Sequence, residues 1–403
     1  MLTYLEAPYK ARDTGPDPGQ RFPWVPPTKY TDYDFASYLP ISFVTTAKTD
    51  NVLPYAEHFN FSFQRQIGAS MTMTAAYVGT AGHHLVGWID TNPGSPSKCL
   101  EIRALAVAAG EPAEECGPGG EDTIYNINGQ VFDGTRPYSV TSGRRLNQGL
   151  LDFAGSVGWA ATFANSIYNS LQLTLEKKVG ALRFLGAYTY GKSLDNTSSF
   201  TDEVNPFDYR LSRSLSAFDM THNFVTSYSY DLPFQKLARS SSGPVHKALD
   251  GWTVTGITRF TTGMPVSLYE PGDHSLVGSI ALTYNGVDLP NYSGQPLTYS
   301  NPRTSPNGQW FSTAQFSPQV LGTFGTASRR FFHGPGLNNW DMSLHKTTRI
   351  TERAGLEFRA EFFDVFNHAQ FNNPVGDFAS PSFGQVTSAR SSRIGQLALK
   401  LNF

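Results

Sequence analysis

Apolar residues fall on alternate positions again and again along this chain. The last ten residues, IGQLALKLNF, show it most clearly. Leu397, Leu399, Leu401 and Phe403 occupy every second position, and Gln396, Ala398, Lys400 and Asn402 fill the gaps. A strand sends successive side chains to opposite faces, so one face here is apolar to the terminal carboxylate and the other is polar. The same alternation groups Phe59, Phe61 and Phe63, then Met71, Met73, Ala75 and Tyr77, then Leu171, Leu173 and Leu175. It continues through Leu182, Phe184, Gly186, Tyr188 and Tyr190, and through Phe224, Thr226, Tyr228 and Tyr230. Trp252 to Phe260, Trp340 to Leu344 and Leu356 to Phe362 complete the series. These spacings predict about nine strands of roughly ten residues, the length a tilted transmembrane strand needs.

The charges sort with the pattern. Glu176, Arg183, Arg259, Asp341, Glu357, Arg359, Glu361 and Lys400 all fall on the polar face, with Glu57 near a strand end as the exception. A charge on a lipid face at mid-bilayer costs about 2–4 kcal/mol, which accounts for such sorting. Connections alternate in length. Those near residues 65–69, 177–180 and 347–355 are short, and 231–250 is a looser turn. Those near 80–166, 191–221, 263–338 and 364–391 are long and rich in Gly, Pro, Asn and Ser. Short periplasmic turns and long extracellular loops are the habit of outer-membrane barrels. If 65–69 is periplasmic, alternation through about nine strands returns Phe403 to the periplasm, where such barrels end. The expected fold is all-β: an antiparallel transmembrane β-barrel, incomplete, with long extracellular loops. Residues 1–54 read as an irregular N-terminal segment, the remnant of an upstream barrel loop, and 55–403 as the C-terminal barrel portion.

Composition agrees. Charged residues are 16% of the 403, aromatics 13% and Gly 37 in number. The charged share falls below the globular average of about 25%. No uncharged apolar run reaches the roughly 18 residues of a transmembrane helix. The same composition suits a secreted or surface all-β adhesion or carbohydrate-binding protein. A net charge of −2 with scattered basic residues gives no case for nucleic acid. The opening MLTYLEAPYKARDTGPDPGQ has no basic stretch followed by an apolar one, so it reads without a signal peptide.

Chemistry-bearing residues are sparse. Cys99 and Cys116 flank a short segment of one loop, and no second pair or nearby His completes a zinc set. In an oxidising compartment they can close a disulfide worth about 3 kcal/mol; the other reading is two free thiols in a mobile loop. His83 and His84 follow an expected strand end, and adjacent histidines point apart, which argues against a shared metal. Asp13 and Asp17, in DTGPDPG, resemble a calcium loop only faintly. Asp364, Asn367 and His368 carry donors and acceptors of the kind a catalytic set uses. No nucleophile elbow, zinc helix motif or phosphate loop occurs, so neither an enzyme nor a cofactor is expected. Arg183, Arg259, Glu357, Arg359 and Glu361 form the expected lumen-facing charges, lining a path or pairing across the wall or with a plug. Tyr188, Tyr190, Tyr228, Tyr230, Trp252 and Trp340 suit an aromatic girdle.

The stretches WDMSLHKTTRITERAGLEFRAEFFDVFNHAQFNNP and FGQVTSARSSRIGQLALKLNF resemble the C-terminal barrel of TonB-dependent receptors of the Oar-like kind, abundant in acidobacteria. AYTYGKSLDN and FDMTHNFVTSYSYDLP look similar to upstream strands of that group, and the resemblance covers most of 55–403. It implies energised uptake across the outer membrane of a Gram-negative bacterium, with membrane lipid and the barrel assembly machinery as partners. Leu397, Leu399, Leu401 and Phe403 resemble the C-terminal signal that this machinery reads. Whole receptors of this group have about 22 strands, a plug that gates and a segment that contacts TonB. With about nine strands and no plug, this chain is expected to be a truncated, split or incomplete receptor. TonB and the plug domain would be partners only in the intact receptor, and a passive porin is the remaining alternative.

Overall fold

The computed structural model describes residues 41–403 apart from 113–115, 138–144, 147–149, 152, 201, 203, 238–242, 279–287 and 352–353. Asp13 and Asp17 lie outside the described residues. One large sheet dominates. Its strands are β1 (Ile41–Ala47), β2 (Tyr55–Ile67), β3 (Met71–Asp90), β4 (Phe153–Lys177), β5 (Leu182–Asp195), β6 (His222–Asp231), β7 (Trp252–Thr261), β8 (Leu337–Arg349), β9 (Gly355–Phe363) and β10 (Ile394–Asn402). From β2 to β10, each strand pairs with its chain neighbours, antiparallel throughout. β1, inside the stretch read as irregular, instead runs parallel to the Phe153–Ala160 part of β4. The sheet does not close: among the described residues, β2 and β10 each pair on one side only.

The register carries the alternation around the wall. Phe61 faces Tyr77, Tyr77 faces Leu171, and Leu171 faces Tyr190. Further round, Tyr230, Val254, Leu344, Ala360 and Leu397 form one row. One continuous face is therefore apolar, with Phe61, Leu397 and Leu399 exposed to the surroundings. Such a face suits lipid, where backbone polar groups must be satisfied by neighbouring strands, as they are from β3 to β9. Tight turns join the strands at one end. Gly68 (φ 63°) and Gly180 (φ 103°) take the left-handed backbone that these turns need and that other residues resist.

Three features differ from expectation. β3 and β4 run to 20 and 25 residues, well past the ends expected near Gly79 and Tyr168. Their pairing shifts register between Gly82 and Leu85 and again before Gly87, and His84 sits at φ 53°. A bulge adds a residue to one strand, so the period-two pattern breaks and the strand becomes unreadable. His83 and His84 thus lie within a strand, with the Tyr55 ring stacked on His83 at 4.9 Å.

Glu57 is also not alone on the apolar face. Arg65, opposite Met73, and Lys177, opposite Phe184, share it, as does Lys346, opposite Trp252. All three adjoin the short turns, where a long cation can reach water while its stem stays apolar. The third difference is that the long connections are folded. Helix α1 (Pro96–Ala109) starts on Ser95, whose side chain accepts from Lys98 N, and stops at Gly110 (φ 80°). It packs Cys99, Ile102 and Ala106 against Cys116, Tyr125, Ile127 and Leu276. A second core gathers Val266, Leu268, Phe311, Phe316, Phe332 and Phe383 from the connections after β7 and β9. Both cores lie in the loops. The sheet has none of its own, because its apolar face is turned outward.

Candidate functional site on the polar face and under the loops

Arg183, Arg259, Glu357, Arg359 and Glu361 share the polar face. Pairing links Arg183 to Ser229, Ser229 to Thr255, Thr255 to Ser343 and Ser343 to Glu361. Most of these charges find partners close by. Arg183 Nη2 donates to both Asp231 oxygens at 3.0 and 3.1 Å. Arg359 Nε donates to Glu357, and Gln396 donates to Glu361. His345 joins the group, 2.8 Å from Ser343 Oγ and 3.9 Å from Glu357.

Arg259 differs. Its Nη2 lies 4.0 Å from Met220 Sδ, and its Nε is buried without a hydrogen-bond partner. It lines a cavity of about 640 Å³ with Asn223, Asn339, Asp341, Asp364 and Arg390. There Asp341 accepts from the Asp364 amide at 2.9 Å, while Asp364 Oδ2 is buried with no partner. Arg259 and Asp364 thus both line this space, while the unpaired Arg259 Nε and Asp364 Oδ2 are themselves shielded from it. The sheet positions these charged residues around an open space.

Above the strand ends, buried ion pairs bind the loops to one another. Arg329 reaches Asp202 at 2.7 Å and Asp195 at 3.4 Å, and Arg330 reaches Asp202 at 2.6 Å. Burial, with Arg330 beside it, lowers the Arg329 guanidinium to about 10. His333 Nε2 lies 2.8 Å from Asp219, which also accepts from the Ser193 amide. Arg136 plays the matching part beside α1, 2.9 Å from Asp122 and donating to the Asn92 carbonyl at 2.7 Å. Near it, burial and the Asp273 carboxylate push Glu121 up to about 8. Asp273 accepts from the Gly119 and Gly278 amides. Alternation could not reveal these residues, because all but Ser193 and Asp195, at the end of β5, sit in loops. The one sequence signal was the Arg329–Arg330 pair in a charge-poor stretch.

The remaining candidates are placed as follows. Cys99 and Cys116 form a disulfide with Cα atoms 5.4 Å apart. Leu397, Leu399, Leu401 and Phe403 lie exposed on the free last strand. The aromatic residues split between the two strand ends. Tyr188, Tyr190 and Trp340 stand toward the loops, and Tyr230 and Trp252 toward the short turns.

The family described as outer membrane beta barrel domain matches residues 4–396. The chain belongs to this family. It is accordingly an outer-membrane β-barrel protein of Gram-negative type, its apolar face set in the bilayer. No curated protein matches it. Among solved structures, it is similar to the outer membrane transporter YddB from Escherichia coli: 10% identity, TM-score 0.40, covering 90% of this chain and 34% of that one. The ferric-catecholate import receptor Fiu from Escherichia coli gives 10% identity and TM-score 0.37, over 89% of this chain and 30% of that one. The ferric enterobactin receptor PfeA from Pseudomonas aeruginosa gives 8% and 0.40, over 87% and 31%. The chain spans about a third of the length of each.

Proposed function

We propose that this chain is the C-terminal wall of a transport receptor, of the TonB-dependent, Oar-like kind, that takes up a solute across the outer membrane. The supporting observation is the cavity around Arg259 and Asp364. In a closed barrel the polar face lines the lumen, and a cavity lined by Arg259, Asp341, Asp364 and Arg390 suits a wall that meets a substrate or a plug. Arg183, Glu357, Arg359 and Glu361 are self-paired and serve the wall itself. The folded loops form the outer mouth. Outer-membrane lipid and the barrel assembly machinery are partners of the chain; the plug and TonB act in the intact receptor. No catalytic step and no cofactor is assigned.

The test is growth on a panel of limiting nutrients too large for general porins. Strains with and without the locus, each with and without TonB, are compared. A nutrient whose use needs both supports the proposal. Use that needs the locus but survives loss of TonB makes the protein a passive porin. Use of every nutrient unchanged by loss of the locus rejects transport.

A further inference from the structure

A second cleft, of about 940 Å³, opens on the opposite side of the sheet from the Arg259 cavity. Its floor is the apolar face at the loop end: Tyr188, Phe224 and Phe260, which the register places in the face that carries Leu173 and Leu397. Its roof is the loop after β7, which folds out over that face and presents Tyr299, Trp310 and Phe331. The sheet separates this cleft from the polar face, so an occupant does not arrive through the lumen.

The lining contains no Asp, Glu, Lys or Arg. Its two histidines are engaged: His222 Nδ1 lies 2.8 Å from the Tyr188 hydroxyl, and His333 is bound to Asp219. The indole N–H of Trp310 donates to the His333 carbonyl at 3.1 Å, which fixes the ring in the roof. Few polar groups remain to hold a sugar or other hydrophilic ligand, while aromatic walls of this extent favour an apolar one.

We propose that this cleft holds an acyl chain of an outer-leaflet lipid, drawn out of the bilayer and clamped between the β5–β7 wall and the overhanging loop. The inference rests on the membrane setting of the apolar face and is independent of what the protein transports. It makes the loop roof a lipid-bound structure, although the chain segment that forms it lies beyond the strand ends.

The test uses the full chain refolded into phosphatidylcholine vesicles, with bromine either absent from the acyl chains or placed high on them. Bromine quenches indole emission on contact. The parent is compared with Trp310→Phe, Trp340→Phe and Trp88→Phe. Trp340 stands on the apolar face, and Trp88 is buried near the far end of β3. Trp310→Phe and Trp340→Phe should each remove quenched emission, and Trp88→Phe only unquenched emission. Trp310→Phe behaving like Trp88→Phe overturns the proposal, because a water-filled or glycan-filled cleft keeps bromine away. In intact Gram-negative cells, a photo-crosslinking benzoylphenylalanine at Tyr299 should give a lipid adduct, and one at the exposed Val320 none. Adducts with polysaccharide alone, or no lipid adduct at Tyr299, also overturn it.

Discussion

The ring of Phe59 on β2 lies directly over the backbone of Gly79 on β3, so close that a Cβ at 79 would stand 2.0 Å from the ring. The two residues face each other across the pair, on the apolar side. Gly79 is thus the floor on which an aromatic ring of the outermost strand rests. Gly79→Val should destabilise the sheet by about 1–3 kcal/mol, as overpacking does. The check is the urea midpoint of the refolded chain in vesicles. Gly79→Ala should cost little once Phe59 is also Ala, and a double-mutant cycle should show that coupling.

Arg329 and Arg330 hold the loops after β5 and β7 together through Asp202 and Asp195. Removing one partner of a buried ion pair costs about 3–5 kcal/mol, because the other charge stays buried. Arg329→Ala should therefore expose the 191–221 and 263–336 connections to limited proteolysis. The far-ultraviolet signal of the sheet should hardly change. Cleavage at the parent's rate would show that the ion pairs do not clamp the loops.

Glu121 titrates higher in the folded chain, near 8, than its ordinary value of 4.5. The folded state therefore holds the proton more tightly. Its stabilising effect is full below about 4.5 and is lost as pH rises through 8. Amides of α1 and of the adjoining core should exchange faster, after correction for intrinsic rates, at pH 9 than at pH 5.5. Glu121→Gln should flatten that dependence. An unchanged slope in the variant would assign it to another group.

The Cys99–Cys116 bridge lies in the core beneath α1, with both residues almost fully buried. Its removal by Cys99→Ser with Cys116→Ser should cost about 3 kcal/mol. The loss should be confined to hydrogen-exchange protection in 96–127. Equal protection with and without the bridge would make it dispensable.

Phe403 extends the row of Leu397, Leu399 and Leu401, whereas Asn402 lies opposite Gly355 on the other face. Joined to the rest of its barrel, Phe403→Asp should lower the amount reaching the outer membrane far more than Asn402→Asp. Equal outer-membrane levels for both variants and the parent would remove the C-terminus as an assembly signal.

The wall was legible because lipid outside and a polar face inside impose a strict period of two, as from Leu171 to Leu175 and from Leu356 to Phe362. Strand order followed from connection length, since short turns such as Ile67–Met71 leave only neighbouring strands within reach. Legibility ended where that constraint ended. At His83–His84 a bulge swapped the faces, and the upper halves of β3 and β4 merged with loop sequence. Arg65, Lys177 and Lys346 broke the charge sorting because a cation beside a turn has water within reach. The Asp202–Arg329–Arg330 clamp joins positions more than a hundred residues apart. Only folded loops bring them together, and the packing of Phe311 or Ile102 leaves no periodic trace.

The unequal strand lengths give the outer mouth a slope. Residues 153–165 of β4 continue past its last pairing with β5, at Ser166–Asp195. At about 3.3 Å per residue, that is on the order of 40 Å of additional strand. The paired upper halves of β3 and β4 therefore stand as a parapet beyond the end of β5, with β1 running along β4. A bulky particle descending on the cell surface would meet that parapet. Antibodies or phage selected on whole cells should accordingly include binders of the crest formed by the β3–β4 pair.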